Sequence, residues 1–178
     1  MHYKDLSMKR ILQILTRRYG RKNKLLILYK STFKTPIGTL GLLANKESLL
    51  KLSFKGLKDI TEEAEEDKSR FASIFTELEE YFAGEREVFS VNYLLDTSQF
   101  AARVYKEMVK IPYGKTLSYS ELAQKSGSKL AYRAVGTACG KNPLPLIIPC
   151  HRVTAVNGLG GFGDGLDTKR FLLNLETN

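Results

Sequence analysis

Cysteine and histidine are scarce in this chain of 178 residues, which has two of each. Two cysteines, with no Cys-x-x-Cys pair and no histidine-rich tract, exclude a disulfide framework, and we expect no metal and no other cofactor. No apolar run is long enough to cross a membrane, and no signal-peptide apolar region follows the basic N-terminus. These absences predict a cytoplasmic protein with reduced thiols, or a nuclear one if its source is eukaryotic, and no membrane partner.

Negative charge is also in deficit. The chain has 28 Lys and Arg against 19 Asp and Glu, a net charge of +9 and a pI near 9.5. Residues 1–30 hold nine bases and one acid, residues 58–87 hold eleven acids and four bases, and residues 103–178 hold eleven bases and five acids. The basic C-terminal half favours a polyanionic partner, most simply nucleic acid, whereas a merely soluble basic surface is the plainer alternative.

The first half of the chain predicts a basic segment followed by a small α/β domain. Residues 1–22 form either a partly amphipathic helix or a loose arm. Residues 23–90 have the patterns of a small antiparallel sheet and one helix. The sheet is expected to use strands at residues 24–29, 40–43 and 49–54. Residues 59–69 are expected to form an acidic loop, and the apolar spacing that follows predicts a helix ending at Gly84.

The second half, residues 91–178, predicts a mostly helical domain. An amphipathic helix is expected from about residue 98. Ser118 and Glu121 have capping-box spacing and open a second helix, and Ser128 is placed to cap a third. Two helices joined by a short glycine-containing turn form a helix-turn-helix. The predicted fold class is therefore α+β overall: an α/β N-terminal domain, then a helical domain that contains a helix-turn-helix.

The segment Pro149-Cys150-His151-Arg152-Val153 carries the most chemical information. Thiolate is the reactive form of cysteine, and a neighbouring imidazole can lower a thiol pKa. Cys150 is therefore the leading candidate nucleophile. A Cys-His dipeptide alone is also compatible with an inert buried cysteine, so the surrounding sequence decides between these interpretations.

Five ordered segments together resemble the O6-alkylguanine-DNA alkyltransferase family, the methylated-DNA–protein-cysteine methyltransferases. The resemblance is dense over residues 98–176 and general in the N-terminal half. The segments are Ile111-Pro112-Tyr113-Gly114 with Ser118-Tyr119 and Leu122-Ala123; Arg133-Ala134-Val135-Gly136 with Ala138; Asn142-Pro143; Pro149 to Val153; and Gly161-Phe162 with Gly165-Leu166, Lys169, Leu172-Leu173 and Glu176.

The resemblance implies a repair protein that moves an alkyl group from the O6 atom of guanine to its own cysteine, once per molecule. Cys150 is then the acceptor, because attack on an alkyl carbon suits a soft thiolate. His151 acts as base through a water, and Glu176 orients it, which follows the logic of hydrolase triads. Tyr119 donates a hydrogen bond that helps guanine to leave.

The resemblance also implies a DNA-binding surface and a base pocket. The partner is double-stranded DNA containing O6-alkylguanine, bound through the minor groove by a protein expected to be monomeric. Flipping the nucleotide out of the stack costs a few kcal/mol, and Arg133 fills the vacated place. The matching DNA-binding positions are Arg133, Ala134, Gly136, Ser118 and Tyr119. The matching pocket positions are Val153, Gly158, Phe162, Gly163 and Lys169, and Asn142 matches the hinge.

The chain departs from the family pattern at two places near the pocket. Thr154 follows Val153 where a second valine is common, and Gly163-Asp164 adds a carboxylate near the DNA-facing loop. We expect Gly163-Asp164 to change the width of the pocket and the size of alkyl group that the protein prefers. Two alternative functions stay open: a non-catalytic protein that binds alkylated DNA, and a helix-turn-helix regulator. A cysteine hydrolase is more remote, because no peptide or ester pocket is indicated.

Overall fold

The structure is a computed structural model and describes residues 27–177. The predicted basic helix or arm at residues 1–22 lies outside the described residues, as does the start of the strand predicted at 24–29. None of the described helices is long and apolar enough to span a bilayer. No cluster of three or more potential metal ligands occurs among residues 27–177.

The N-terminal half is built on a four-stranded sheet with the order β3-β2-β1-β4. Strand β1 (Tyr29–Thr35) turns through Pro36 and Ile37 into β2 (Gly38–Ala44), which pairs with β3 (Leu49–Ser53). These three strands are antiparallel, as predicted. A two-residue strand β4 (Glu65–Glu66) pairs in parallel with β1, so the sheet is mixed rather than purely antiparallel. The acidic segment predicted as a loop therefore supplies an edge strand.

Strand β1 also begins later than the predicted strand at residues 24–29. The alternation that defines it runs from Tyr29 to Thr35, and Tyr29 is its buried end. The prediction of an earlier start rests on the apolar run at residues 25–28. A half-buried strand is marked by alternation of apolar and polar residues, and not by a continuous apolar run. Helix α1 (Ala72–Phe82) follows the sheet as predicted, and its buried face includes Leu78 and Tyr81.

Four helices form most of the C-terminal half. They are α2 (Gln99–Met108), α3 (Tyr119–Lys125), α4 (Tyr132–Gly140) and α5 (Leu166–Leu175). A small parallel pair joins β5 (Leu117–Ser118) to β6 (Val153–Thr154). Helices α3 and α4 form the predicted helix-turn-helix, in which α4, the second helix, has the position of the recognition helix.

The two helices of this motif begin differently. At α3 the predicted capping box is present, because Ser118 Oγ accepts the N–H of Glu121 and Glu121 accepts the N–H of Ser118. At α4 the predicted Ser128 cap is wrong: the helix begins at Tyr132, and its N-cap Ala131 offers no side-chain hydrogen bond. Ser128 instead accepts the N–H of Ala131 with its carbonyl, which closes a turn before the helix.

The two halves share one hydrophobic core, which contains residues from the sheet, α1 and all four C-terminal helices. The backbone links them as well, since Leu52 N–H donates to the carbonyl of Pro143 at 2.8 Å. A boundary near residue 90 stays a prediction. The shared core brings α1 of the N-terminal half to the end of α5, where Tyr81 contacts Glu176.

Candidate active site

Cys150 opens a single 3-10 turn, Cys150–Arg152, directly after Pro149. Its backbone N–H donates to the carbonyl of Ile148 at 2.8 Å, and its side chain is buried. Asn142 braces this approach, because its Nδ2 donates to the Ile148 carbonyl at 2.7 Å and its Oδ1 accepts the N–H of Leu144 at 3.1 Å. The residue predicted as the hinge therefore links the end of the recognition helix to the cysteine segment.

His151 points towards the end of α5. Its Nε2 lies 2.7 Å from Oε1 of Glu176, and both side chains are buried. An ionised carboxylate only accepts hydrogen bonds, so Nε2 carries the proton and the neutral ring keeps its lone pair on Nδ1. That Nδ1 is buried and has no hydrogen-bond partner among residues 27–177. The imidazole can therefore accept a proton at Nδ1 while Glu176 holds its other side.

Glu176 is the centre of a larger group of donors. Arg152 donates two hydrogen bonds to its carboxylate, from Nε to Oε2 at 2.8 Å and from Nη2 to Oε1 at 3.0 Å. Tyr81 on α1 donates its hydroxyl to Oε1 at 2.8 Å, and Gly114 donates its backbone N–H to Oε2 at 3.2 Å. We call Glu176 and these four donors, His151, Arg152, Tyr81 and Gly114, the Glu176 cluster.

Gly114 belongs to this cluster because no other residue fits its position. Its φ is +68°, in the left-handed region that favours glycine, and a Cβ placed there would lie 2.6 Å from the backbone carbonyl oxygen of Glu176. The turn at Ile111-Pro112-Tyr113-Gly114 can therefore close on the end of α5. Arg152 is fixed at the same place, since its Nη1 donates to the Ile111 carbonyl at 2.8 Å.

The protonation states of the site depend on burial. Burial raises the pKa of the Cys150 thiol to about 11, with a contribution from the negative charge of Asp164 that a hydrogen bond from Asn142 opposes. Burial also lowers the pKa of His151 below its usual range, despite the opposing effect of Glu176. For Glu176 burial acts to raise the pKa, but hydrogen bonds from His151 and Arg152 outweigh it and leave the pKa at about 2. At neutral pH the site therefore holds a thiol, a neutral imidazole and a carboxylate.

A cavity of about 410 Å³ opens beside the thiol. The recognition helix, the cysteine segment and a glycine-rich loop, residues 158–165, all contribute to its wall. The lining residues are Tyr119, Tyr132, Gly136, Cys139, Gly140, Asn142, Pro145, Cys150, Gly161, Phe162, Gly163 and Asp164. Of the five predicted pocket residues, Phe162 and Gly163 line this cavity, and Val153, Gly158 and Lys169 do not.

Lys169 and Val153 lie behind the cavity wall. Lys169 is fully buried, and its Nζ donates to the Val153 carbonyl at 2.6 Å and to the Gly161 carbonyl at 3.3 Å. The lysine thus ties strand β6 to the glycine-rich loop, so it shapes the cavity without lining it. Gly158 is exposed in a turn, bridged to Ala155.

Tyr119, the first residue of α3, connects the helix-turn-helix to the same loop. Its hydroxyl donates to the Gly161 carbonyl at 3.0 Å, and burial raises its pKa to about 12. The loop passes so close that a Cβ on Gly160, where φ is +70°, would lie 2.8 Å from the tyrosine ring. Tyr119 therefore presents a protonated hydroxyl at the cavity wall.

The predicted DNA-binding residues fall into three environments. Arg133 and Ala134 are exposed at the start of the recognition helix, and the Arg133 guanidinium lies 5.7 Å from the ring centre of its neighbour Tyr132. Gly136 and Tyr119 line the cavity. Ser118 is engaged as the N-cap of α3, with its hydroxyl bonded to Glu121. We call the exposed residues Leu130, Tyr132, Arg133 and Ala134 the rim.

Sequence reasoning assigned no role to three members of the Glu176 cluster: Gly114, Arg152 and Tyr81. Arg152 lies inside the quoted cysteine segment, and a buried guanidinium requires an acidic partner, but the sequence does not reveal its burial. Tyr81 gives no signal in the sequence, because a tyrosine on the apolar face of a helix is typical of a core residue. Its partner lies 95 positions away in the sequence.

A helix-turn-helix beside a cavity that contains a buried thiol defines a class: a nucleic-acid-binding protein whose reactive group is its own cysteine. The model for the 6-O-methylguanine DNA methyltransferase DNA-binding domain matches residues 99–178, and the model for the ribonuclease-like domain of the same family matches residues 28–95. The chain therefore belongs to the 6-O-methylguanine DNA methyltransferase family, which confirms the resemblance found in its sequence.

Relatives and solved structures agree with this assignment. The methylated-DNA–protein-cysteine methyltransferase of Methanosarcina barkeri is 42% identical over 155 residues, which cover 85% of this chain and 98% of the relative. The protein of the same name from Metallosphaera sedula is 40% identical over 82% of this chain and 90% of its own length. A crystal structure of Mycobacterium tuberculosis OGT in complex with DNA is similar with a TM-score of 0.78 and 40% identity, over 84% of this chain and 92% of that one.

Proposed function

We propose that this chain repairs DNA by transferring the alkyl group of O6-alkylguanine to Sγ of Cys150, irreversibly and once per molecule. The observation that carries the proposal is the position of that thiol, which lines a cavity next to the recognition helix. The next residue, His151, is hydrogen-bonded to Glu176. Its relatives are methylated-DNA–protein-cysteine methyltransferases, and one similar structure is a complex with DNA. DNA is therefore the partner of this chain.

The transfer begins with activation of the thiol. With a pKa of about 11, Cys150 is protonated at neutral pH and needs a base. In our proposal a water carries the thiol proton to Nδ1 of His151, and Glu176 stabilises the imidazolium that forms. Sγ then attacks the alkyl carbon, the S–C bond forms, and the C–O6 bond breaks.

The electron pair of the broken bond leaves with guanine. In our proposal the Tyr119 hydroxyl, which is protonated at neutral pH and donates to the Gly161 carbonyl in this structure, turns its hydrogen towards the departing base. The proton that the thiol lost ends on guanine, so the net change is a thioether on Cys150 and an unmodified base. No step regenerates the thiol, which makes the protein a stoichiometric acceptor.

Access to the lesion requires the nucleotide to leave the duplex. We propose that the exposed Arg133 enters the minor groove and occupies the vacated stack, while the small side chains of Ala134 and Gly136 allow close approach. The protein is proposed to act as a monomer, and its reduced thiols suit an intracellular compartment.

The test is mass spectrometry after incubation with duplex DNA carrying O6-methylguanine. Trypsin separates the two thiols, since residues 134–141 carry Cys139 and residues 142–152 carry Cys150. We expect one methyl group on the second peptide and one methyl lost from DNA per protein. A bound lesion with neither peptide methylated would overturn the transferase and favour a lesion-binding protein, and absence of any lesion preference would favour a helix-turn-helix regulator.

A further inference from the structure

Tyr81 stands apart from the rest of the Glu176 cluster because it comes from the N-terminal half of the chain. It lies on α1, it is fully buried, and its hydroxyl donates to Oε1 of Glu176 at 2.8 Å. Burial, followed by the charge of Glu176, raises its pKa well above the usual tyrosine range, so the hydroxyl stays protonated at every pH at which the protein works. Tyr81 is therefore a permanent donor to the carboxylate.

The oxygen that Tyr81 contacts is the one that holds the imidazole of His151. Oε1 accepts from Nε2 of His151 at 2.7 Å, from the Tyr81 hydroxyl at 2.8 Å and from Nη2 of Arg152 at 3.0 Å. Donors that share one oxygen each withdraw electron density from it, so each additional donor weakens the attraction of that oxygen for a cation. Tyr81 thus competes with a protonated His151 for the same charge.

We propose that Tyr81 is a positioning residue of the transfer reaction, which fixes the Glu176 carboxylate and keeps His151 neutral so that it can accept a proton. The proposal rests on the proposed function, in which His151 is the base. It also gives the N-terminal half of the chain a part in the chemistry, because α1 delivers this hydroxyl to the end of α5.

The charged and titratable groups around the imidazole support this assignment. The charged side chains that affect the pKa of His151 are Glu176, Arg152 and Lys169. Lys169 lies on α5, Glu176 is the C-cap of that helix, and Arg152 belongs to the cysteine segment. A further titratable neighbour of Tyr81 is Tyr113, whose ring centre lies 6.2 Å away, edge to face. Tyr113 donates its hydroxyl to the Leu175 carbonyl at 3.2 Å and not to the Glu176 carboxylate. The chain therefore offers a matched control in the ring that packs against Tyr81.

The test compares Tyr81→Phe with Tyr113→Phe. Removal of the Tyr81 hydroxyl leaves Oε1 a stronger partner for imidazolium, so the pKa of His151 rises and its neutral form prevails only at higher pH. We expect the rising limb of the rate–pH profile for methyl transfer to move up by about one pH unit in Tyr81→Phe. Tyr113→Phe loses a hydrogen bond beside the same cluster, but not one to the carboxylate, and is expected to keep the original limb.

A second measurement does not depend on transfer. The chain has only two histidines, His2 and His151, so imidazole NMR signals can be followed for His151 separately across the same pH range. An upward shift of its titration in Tyr81→Phe alone supports the effect of Tyr81 on His151, and a lack of methyl transfer in the wild type would then count against the proposed function and not against this effect. Identical titrations in wild type and Tyr81→Phe, or equal shifts in both variants, would overturn it.

A third variant guards against loss of folding. Incorporating 3-fluorotyrosine at position 81 keeps the ring and the hydroxyl but makes the hydroxyl a stronger donor. We expect the opposite sign: the His151 titration and the rising limb both move to lower pH. A shift in the same direction as Tyr81→Phe would mean that packing, and not hydrogen bonding, sets the behaviour of His151, which would overturn the proposal.

Discussion

The Glu176 cluster and the rim lie in the same half of the molecule, apart from Tyr81, but are built in opposite ways. In the cluster the donors are satisfied: Arg152 uses three nitrogens, and Tyr81 and Gly114 complete the shell of Glu176. On the rim, Leu130 is 88% exposed and Tyr132 is 46% exposed. The cluster has its hydrogen-bond partners without DNA, whereas we propose that the rim finds its partners on DNA.

This difference separates two contributions to repair. In our proposal the preorganised cluster activates Cys150, in whatever form the guanine is delivered. In our proposal the rim acts only when a nucleotide has to be removed from a duplex. Substitutions in the cluster should therefore affect free O6-methylguanine and duplex DNA alike, and substitutions on the rim should affect the duplex alone.

The largest effect is expected from Cys150→Ser. A serine hydroxyl is a much weaker nucleophile toward an alkyl carbon, and we expect no transfer from either substrate, measured as tritiated methyl on protein. Binding to duplex DNA with the lesion should persist, because the rim is unchanged. Cys139→Ser, which alters the other thiol that lines the cavity, is the control and should retain transfer. Methyl transfer by Cys150→Ser would remove the basis of the comparison.

Glu176→Gln should reduce transfer by about 100-fold on both substrates, since a general base contributes effects of that order. It should also destabilise the fold by about 3 kcal/mol, because buried Arg152 loses its counter-ion. The pKa of Glu176 is lowered from 4.5 to about 2, so its stabilising ionised form is lost as pH falls through that interval. The free energy of unfolding in urea should fall for the wild type as the pH drops over this range. For Glu176→Gln it should not change with pH in this way.

Glu107→Gln serves as the control for this substitution, since it removes an acid paired with Lys110 at the end of α2. Its transfer rate and its stability should be close to those of the wild type, because surface ion pairs contribute little. A loss for Glu176→Gln on duplex DNA but not on the free base would contradict the division between cluster and rim.

A feature of the fold or the site can be predicted from the sequence when the residues that determine it are close together in the chain. The capping box of Ser118 needs only residues three apart, so the sequence predicts it. Strand β4 has two acidic residues and exists because it pairs with β1, which no local pattern reveals. Cys150 is the leading candidate from its own motif, His151 and Glu176 receive their roles through the family resemblance, and the geometry of all three requires the fold. Tyr81 cannot be found, because its role depends on a contact between distant parts of the chain.

On the rim, Arg133→Ala should slow transfer from duplex DNA by about 10-fold or more and leave the free-base rate unchanged. In our proposal the Arg133 side chain stabilises the flipped state and has no part in the chemistry. Single-turnover rates at saturating DNA measure this without interference from affinity. Lys110→Ala, another exposed cation, is the control for loss of charge. Equal losses on both substrates would place Arg133 with the cluster.

The smallest effect is expected at Asp164, which belongs to neither region. It lines the cavity with Cys150, and its negative charge contributes to the raised pKa of the thiol. Asp164→Asn should therefore increase the fraction of Cys150 that is thiolate below pH 11. Methyl transfer should become about threefold faster on both substrates. The gain should be larger for a carboxymethyl lesion, because the repulsion between its carboxylate and that of Asp164 is removed. Asp167→Asn, three residues further on and fully exposed, should give neither gain. A gain confined to duplex DNA would instead show that Asp164 acts from the rim, by repelling phosphates rather than by holding the thiol protonated.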